Sequence, residues 1–321
     1  MDSSLRPDQF KPEAVSDETR AINTALAHQL AGAVPPTDIA AARASFARGD
    51  GPIPATPKSP RAETISIPNK NGQEISLRVL APPSPKGVFL HIHGGGWWIG
   101  TAGMRDGALE RIAERTGLAC ISVEYRLAPE HPYPAGPDDC EAAARWLIAH
   151  AKERFGSTRL VIGGESSGAH LAVVTLLRLR DAGSGQAFCG ANLVFGIYDL
   201  TLTPSVRRAE STLVTSRQRI EAAVANFLPA DIDRRHPDIS PLYADLTGLP
   251  PALFTVGTLD ALLDDSLFLC ARWIAAGNMA ELAVYPGGVH GFTTFLGKLA
   301  AEANARIDRF MAEAVGQCRS T

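Results

Sequence analysis

The run Leu160-Val161-Ile162-Gly163-Gly164-Glu165-Ser166-Ser167-Gly168-Ala169-His170-Leu171-Ala172-Val173-Val174 decides how this chain is read. A short apolar strand runs into glycines, and an apolar helix opens directly after Ser166. Strand, sharp turn and helix together lift the central side chain out of the backbone as a strained, exposed elbow. Gly164 and Gly168 flank Ser166 and let strand and helix approach without Cβ clashes. The helix N-terminus also aims backbone N–H groups at any negative charge that develops there. A plain strand-to-helix turn with an N-capping serine would use the same pentapeptide. The flanking strand and helix are what single out Ser166 as a nucleophile. Ser167 lies one step past the centre and is assigned a backbone role.

Upstream, His91-Ile92-His93-Gly94-Gly95-Gly96-Trp97-Trp98 ends another strand in three glycines. Acyl transfer puts negative charge on a carbonyl oxygen, and two or three N–H donors must converge on it without side chains in the way. Losing one such donor costs about 3 kcal/mol of barrier. Gly94, Gly95, Gly96 and Ser167 are therefore expected to form an oxyanion hole. A phosphate loop would need a following Lys-Ser or Lys-Thr, which is missing. His91 and His93 share a strand face, but no third ligand lies nearby, so no metal site is expected. Trp98 is read as a wall of the acyl pocket, with Trp97 a core filler.

Downstream, the order Ser, Asp, His is completed by Asp260 in Gly257-Thr258-Leu259-Asp260 and His290 in Gly287-Gly288-Val289-His290-Gly291-Phe292, both on loops past strand ends. Asp264 and Asp265 better suit the first turn of the next helix. His170 is four residues beyond Ser166 on its helix and is expected to point away from the elbow. Asp260 would hold the imidazole of His290, and His290 would act as general base on Ser166.

The rest of the chain fits an α/β architecture. Apolar runs over 87–93, 119–125, 159–163, 192–197, 252–257 and 281–285 alternate with amphipathic segments near 106–115, 138–154, 167–181, 264–276 and 293–314, which predicts a mostly parallel sheet covered on both faces. An antiparallel hairpin is expected over 63–80 around Asn69-Lys70-Asn71-Gly72. Apolar stripes over 17–48, broken at Pro35-Pro36, predict two helices, followed by a proline-rich linker over 51–60. The segment 201–250, with a helix near 217–227, interrupts the rhythm. The expected division is N-terminal cap helices (1–50), the first part of the core (51–200), a cap insertion (201–250) and the second part of the core (251–321).

The 321 residues are 45% hydrophobic and 20% charged, with a net charge of -3, which gives no general attraction for nucleic acid or anionic membrane. No run reads as a membrane span or a secretory leader. Five scattered cysteines without a C-x-x-C suggest a reducing, cytoplasmic setting with no structural disulfide.

With these motifs in place, the chain resembles the hormone-sensitive-lipase-like esterases, bacterial family IV of the α/β-hydrolase superfamily, over roughly residues 60–315. His93-Gly94-Gly95-Gly96 matches that family's oxyanion motif, and the signature Tyr125-Arg126-Leu127-Ala128-Pro129-Glu130-His131-Pro132-Tyr133-Pro134-Ala135 follows. Gly164-Glu165-Ser166-Ser167-Gly168 stands where the family has G-D-S-A-G, with Glu165 for Asp and Ser167 for Ala. The resemblance implies an eight-stranded sheet, a two-part helical cap, frequent homodimers and hydrolysis of small-molecule esters with no cofactor. Short to medium acyl chains are expected from a capped pocket walled by Trp98 and Phe227. Arg126, Glu130, Asp138 and Asp139 are read as ion pairs and helix N-caps. An arylformamidase or other amide acyl hydrolase is the rival enzyme reading. A non-catalytic ligand receptor on the same fold is a further rival, which the presence of His290 disfavours.

Overall fold

The computed structural model describes residues 5–31, 38–210 and 212–318. Its centre is an eight-stranded sheet in the order β1-β2-β4-β3-β5-β6-β7-β8. The strands are β1 (Glu63–Pro68), β2 (Glu74–Leu80), β3 (Gly87–Ile92), β4 (Leu118–Glu124), β5 (Leu160–Glu165), β6 (Phe188–Val194), β7 (Ala252–Gly257) and β8 (Ala280–Tyr285). β1 and β2 form the expected hairpin, and β2 runs antiparallel to β4. From β4 to β8 every neighbouring pair is parallel. At the hairpin turn Asn69 Oδ1 accepts the N–H groups of Asn71 and Gln73, and Gly72 takes φ 76°.

The helices are α1 (Asp17–Ala31), α2 (Ile39–Arg48), α3 (Asp106–Thr116), α4 (Ala135–Phe155), α5 (Ser167–Asp181), α6 (Pro204–Arg208), α7 (Arg217–Phe227), α8 (Leu263–Ala275) and α9 (Lys298–Gln317). Successive strand residues point to opposite faces. Val88, Leu90, Ile92, Ile121, Val123 and Ile162 accordingly join the core beneath α4 and α5, whereas Phe89, Cys120 and Val161 join the core beneath α3 and α9. Both faces are buried, which is why these strands read as unbroken apolar runs.

Three element boundaries depart from expectation. β6 begins at Phe188, earlier than expected because the weak strand formers Gly190 and Ala191 break the apolar pattern before Asn192, and ends at Val194 because Phe195 turns to φ 37°. α4 begins at Ala135, since Pro137 is tolerated in a first helical turn. α9 begins only at Lys298, after a short 3-10 turn at Phe292–Thr294 and Gly297 at φ 128°.

The cysteine expectation is overturned. Cys189 on β6 and Cys318 after α9 form a disulfide across 129 residues, so the chain has a structural disulfide and the cysteine argument for a reducing compartment falls. Cys120, Cys140 and Cys270 are free and buried.

The N-terminal helices sit over loop ends of the sheet. Asn23 of α1 donates to Gly287 O, and Glu18 accepts the N–H of Lys298. Arg43 of α2 donates to the carbonyls of Trp98 and Ala128. The break expected at Pro35-Pro36 lies outside the described residues. Among the described residues no helix is long and apolar enough to cross a membrane.

Candidate active site

Ser166 occupies the turn between β5 and α5 at φ 56°, ψ −121°. A non-glycine residue in this region carries about 1–3 kcal/mol of strain, so the surroundings must enforce it. They do so by close approach: a Cβ on Gly164 would lie 2.1 Å, and one on Gly168 2.0 Å, from the carbonyl oxygen of Ile92. The N–H of Ser166 is tied to Val194 O at 2.9 Å. Only glycine lets β3, β5 and α5 meet here.

His290 stands on the loop after β8, with its Nε2 3.0 Å from Ser166 Oγ. Its Nδ1 lies 3.0 and 3.1 Å from the two carboxylate oxygens of Asp260. Asp260 is buried on the loop after β7, and its Oδ1 also accepts the N–H of Leu262 at 2.8 Å. A carboxylate facing Nδ1 holds the proton on that nitrogen, which leaves the Nε2 lone pair to accept the Ser166 hydroxyl. The edge of Phe195 packs on the imidazole at 4.9 Å, and the positive φ that ends β6 early is what brings it there.

The glycine loop borders the same serine. A Cβ on Gly94 would lie 2.7 Å from Glu165 O, and one on Gly95 (φ 120°) would lie 2.0 Å from Ile99 O. The N–H groups of Gly95 and Gly96 donate to no acceptor among the described residues. Ser167 is the first residue of α5, where an N–H has no partner within the helix. Its hydroxyl accepts the N–H of Trp97 at 3.3 Å.

The α/β-hydrolase fold family matches residues 89–294. Carboxylesterase NlhH of Mycobacterium tuberculosis is 35% identical over 250 residues, covering 73% of this chain and 76% of that protein. The chain belongs to the hormone-sensitive-lipase-like carboxylesterases. Among solved structures, this esterase superposes on a hormone-sensitive lipase from a metagenome library with a TM-score of 0.81 at 28% identity, covering 92% of this chain and 98% of the other. EstE5 soaked with p-nitrophenyl butyrate gives a TM-score of 0.80 at 26% identity, with 94% and 100% covered. The esterase is a carboxylic ester hydrolase.

Behind the esterase's elbow lies a charged cluster that sequence reasoning missed. His91 meets Ser122 Oγ through Nδ1 and Glu165 Oε2 through Nε2, each at 2.9 Å, and Arg105 Nε is 3.3 Å from Glu165 Oε1. Burial pushes the Glu165 carboxyl up, but His91 and Arg105 outweigh it and hold the pKa at about 2. His93 is buried and stacked on Tyr125 at 4.3 Å, and burial lowers its pKa to about 4.

Trp98 is half-buried beside Gly96. Phe227 is almost wholly enclosed and stacks flat on Trp97 at 4.6 Å, so it stands behind the loop. Of the charges in the family signature, Arg126 grips Asp139 with two bonds of 2.8 Å. Asp138 pairs with Arg178 and Lys70, and Glu130 with Arg43. The ion-pair reading holds, but Asp138 and Asp139 lie inside α4 and are not its N-caps, because the helix starts three residues earlier than expected. His170 does turn from Ser166, and it reaches Trp97 and Ile239.

Proposed function

We propose that the esterase acts by a two-step acyl transfer on Ser166. The Ser166 hydroxyl gives its proton to His290 as Oγ attacks the ester carbonyl. The N–H groups of Gly95, Gly96 and Ser167 then receive the oxyanion, with Gly94 supplying the close approach to the elbow. His290 protonates the leaving alcohol, and water releases the acyl group by the reverse route. Asp260 keeps the imidazole in its Nδ1–H tautomer and stabilises the imidazolium without taking its proton. The observation carrying this reading is the continuous line Asp260–His290–Ser166, with both links at 3.0 Å.

Short to medium acyl chains are the proposed substrates. Supporting this are Trp98 beside Gly96, Phe227 bracing Trp97, and the approach of Ala223 on α7 to Gly96, where a Cβ would lie 3.1 Å away. The segments 1–50 and 201–250 are proposed as the two parts of a cap over the core formed by 51–200 and 251–321. The outer edge of β8, which pairs with no strand among the described residues and is flanked by exposed Ile274 and Met279, supports a homodimer. Cytoplasmic residence belongs to the same proposal and requires the Cys189–Cys318 pair to be reduced in cells; finding the pair oxidised there removes it. The enzymatic test is a series of p-nitrophenyl esters of rising chain length with Ser166→Ala as control. Activity that survives in Ser166→Ala removes the assignment.

A further inference from the structure

Trp97 holds a conformation that bulky residues avoid. It follows Gly96 directly and takes φ 65°, so something must keep it there. Its backbone is pinned on both sides: the N–H goes to Ser167 Oγ at 3.3 Å, and the carbonyl accepts the N–H of Ala128 at 3.0 Å. The indole is fixed as well, stacked on Phe227 and donating its Nε1–H to His170 Nδ1 at 3.1 Å. The opposite nitrogen of His170, Nε2, donates to the carbonyl of Ile239 at 2.8 Å. His170 and Ile239 are completely buried, and Ile239 lies in the 201–250 segment.

We propose that His170 is a positioning residue for catalysis: it bridges Ile239 of the 201–250 segment to Trp97, and so holds the glycine loop in the geometry that receives the oxyanion. This inference rests on the assignment of Gly95, Gly96 and Ser167 as the oxyanion donors.

The chemistry of imidazole fits the place. The bridge needs an acceptor facing the indole and a donor facing the carbonyl, on opposite sides of one rigid ring. Neutral imidazole supplies both, and imidazolium has no acceptor. Burial lowers the His170 pKa to about 4, which keeps the ring neutral over the range in which an esterase works. The peptide between Gly96 and Trp97 belongs to the proposed oxyanion loop. The Gly96 N–H lies on the other side of the Gly96 Cα from that peptide, so a shift of Trp97 displaces it through a single residue, and misplacement by about 1 Å can cost about 100-fold in rate. Ser167 adds a second fastening, because its hydroxyl, absent from the alanine usual at this position, ties Trp97 directly to the nucleophile's own helix.

The test uses three full-length variants and a serine-directed trifluoromethyl ketone, which adds to Ser166 Oγ and places an oxyanion where the tetrahedral intermediate would carry it. His170→Gln keeps a donor at the Nε2 position and loses the acceptor for Trp97. Trp97→Phe removes the indole donor while keeping a ring on Phe227. His170→Asn keeps an acceptor at the Nδ1 position. We expect kcat to fall about 10- to 100-fold in His170→Gln and in Trp97→Phe, with ketone affinity falling in parallel and KM changing less than about threefold. The double variant should be no worse than the poorer single one. His170→Asn should recover most of the rate lost in His170→Gln. If His170→Gln does not fold, Trp97→Phe with the ketone carries the test alone. Wild-type kcat and ketone affinity in the folded variants overturn the proposal, as do losses that multiply in the double variant. Loss of thermal stability with unchanged kcat also overturns it, leaving His170 a packing residue. An active Ser166→Ala would instead remove the acyl-enzyme reading beneath it.

Discussion

Glu165 Oε2 lies 2.9 Å from His91 Nε2, so the residue preceding the nucleophile is anchored to the strand that carries the glycine loop. The longer side chain, in place of the aspartate usual in the family, reaches both His91 and Arg105. Its pKa of about 2 is below the ordinary 4.5, so the folded state holds the proton more weakly than the unfolded chain. That stability is present above pH 4.5 and is lost as pH falls through about 2. Glu165→Gln should lower the urea midpoint at pH 7, by about 2–3 kcal/mol of stability, because it leaves the largely buried Arg105 guanidinium without its anion. Unfolding titrations at pH 7 and pH 3 check it. The deficit should narrow at the lower pH, and an equal deficit at both refutes the electrostatic account.

Asp265 shows the opposite sign. It accepts the N–H groups of Tyr198 and Asp199 and the hydroxyl of Thr203. Burial nevertheless raises its pKa from 3.8 to about 7. A raised carboxyl contributes stability that is fully present below pH 3.8 and is lost as pH rises through about 7. Asp265→Asn keeps one oxygen for the two backbone donors and removes the buried charge. The variant should match or exceed the wild type in stability at pH 8, and its stability should fall less steeply between pH 4 and pH 7. A variant with the wild-type slope over that interval would sink the assignment. Asp265→Ala, which strands those donors, should be less stable at every pH.

The elbow, the glycine triplet, Asp260 and His290 were legible because each stands just past a strand end, beside glycines whose role is local. Pairings set by sheet register were not legible. β3 lies between β4 and β5, which puts His91 opposite Ser122 and Gly163, so its two nitrogens meet residues 31 and 74 positions away. No local period encodes that. The same holds for Cys189–Cys318, joined only because α9 packs back on β6. His170 was placed correctly as turned from Ser166, but its helix could not reveal that Trp97 and Ile239 converge on it.

The disulfide gives a direct chemical prediction. Alkylation of the unfolded, unreduced protein should add three groups, on Cys120, Cys140 and Cys270, and reduction should raise the number to five. The native protein should react slowly with thiol reagents, since all three free thiols are buried. Cys318→Ser should lower stability by about 3–5 kcal/mol, the scale for removing a cross-link that closes a long loop. Mass spectrometry and calorimetry with and without reductant check both parts. Five alkylations without reductant would show the pair to be open.

Asp260→Asn isolates orientation from bulk. The side chain keeps its size and still offers Oδ1 to the Leu262 N–H. An amide N–H facing His290 Nδ1, however, favours the tautomer that protonates Nε2. Nε2 then cannot take the Ser166 proton, and kcat should fall by about 10,000-fold with little change in KM. A loss below about tenfold would remove Asp260 from its orienting role on His290.

Arg43 decides whether α2 matters to the substrate pocket. Its guanidinium donates to Trp98 O at 2.8 Å, to Ala128 O at 2.9 Å and to both carboxylate oxygens of Glu130. The ion pair faces solvent, with Glu130 53% exposed, so it contributes at most about 1 kcal/mol. The carbonyl bonds fasten α2 to the backbone of Trp98 and should matter more. Arg43→Ala should therefore raise KM several-fold for p-nitrophenyl esters, lower kcat less, and destabilise the protein by about 2–3 kcal/mol. Arg43→Lys should do nearly the same, because an ammonium cannot reproduce the fork. Glu130→Gln should stay close to the wild type on both measures. If Glu130→Gln matches Arg43→Ala, the ion pair carries the anchorage and the role given to the Trp98 and Ala128 carbonyls is wrong.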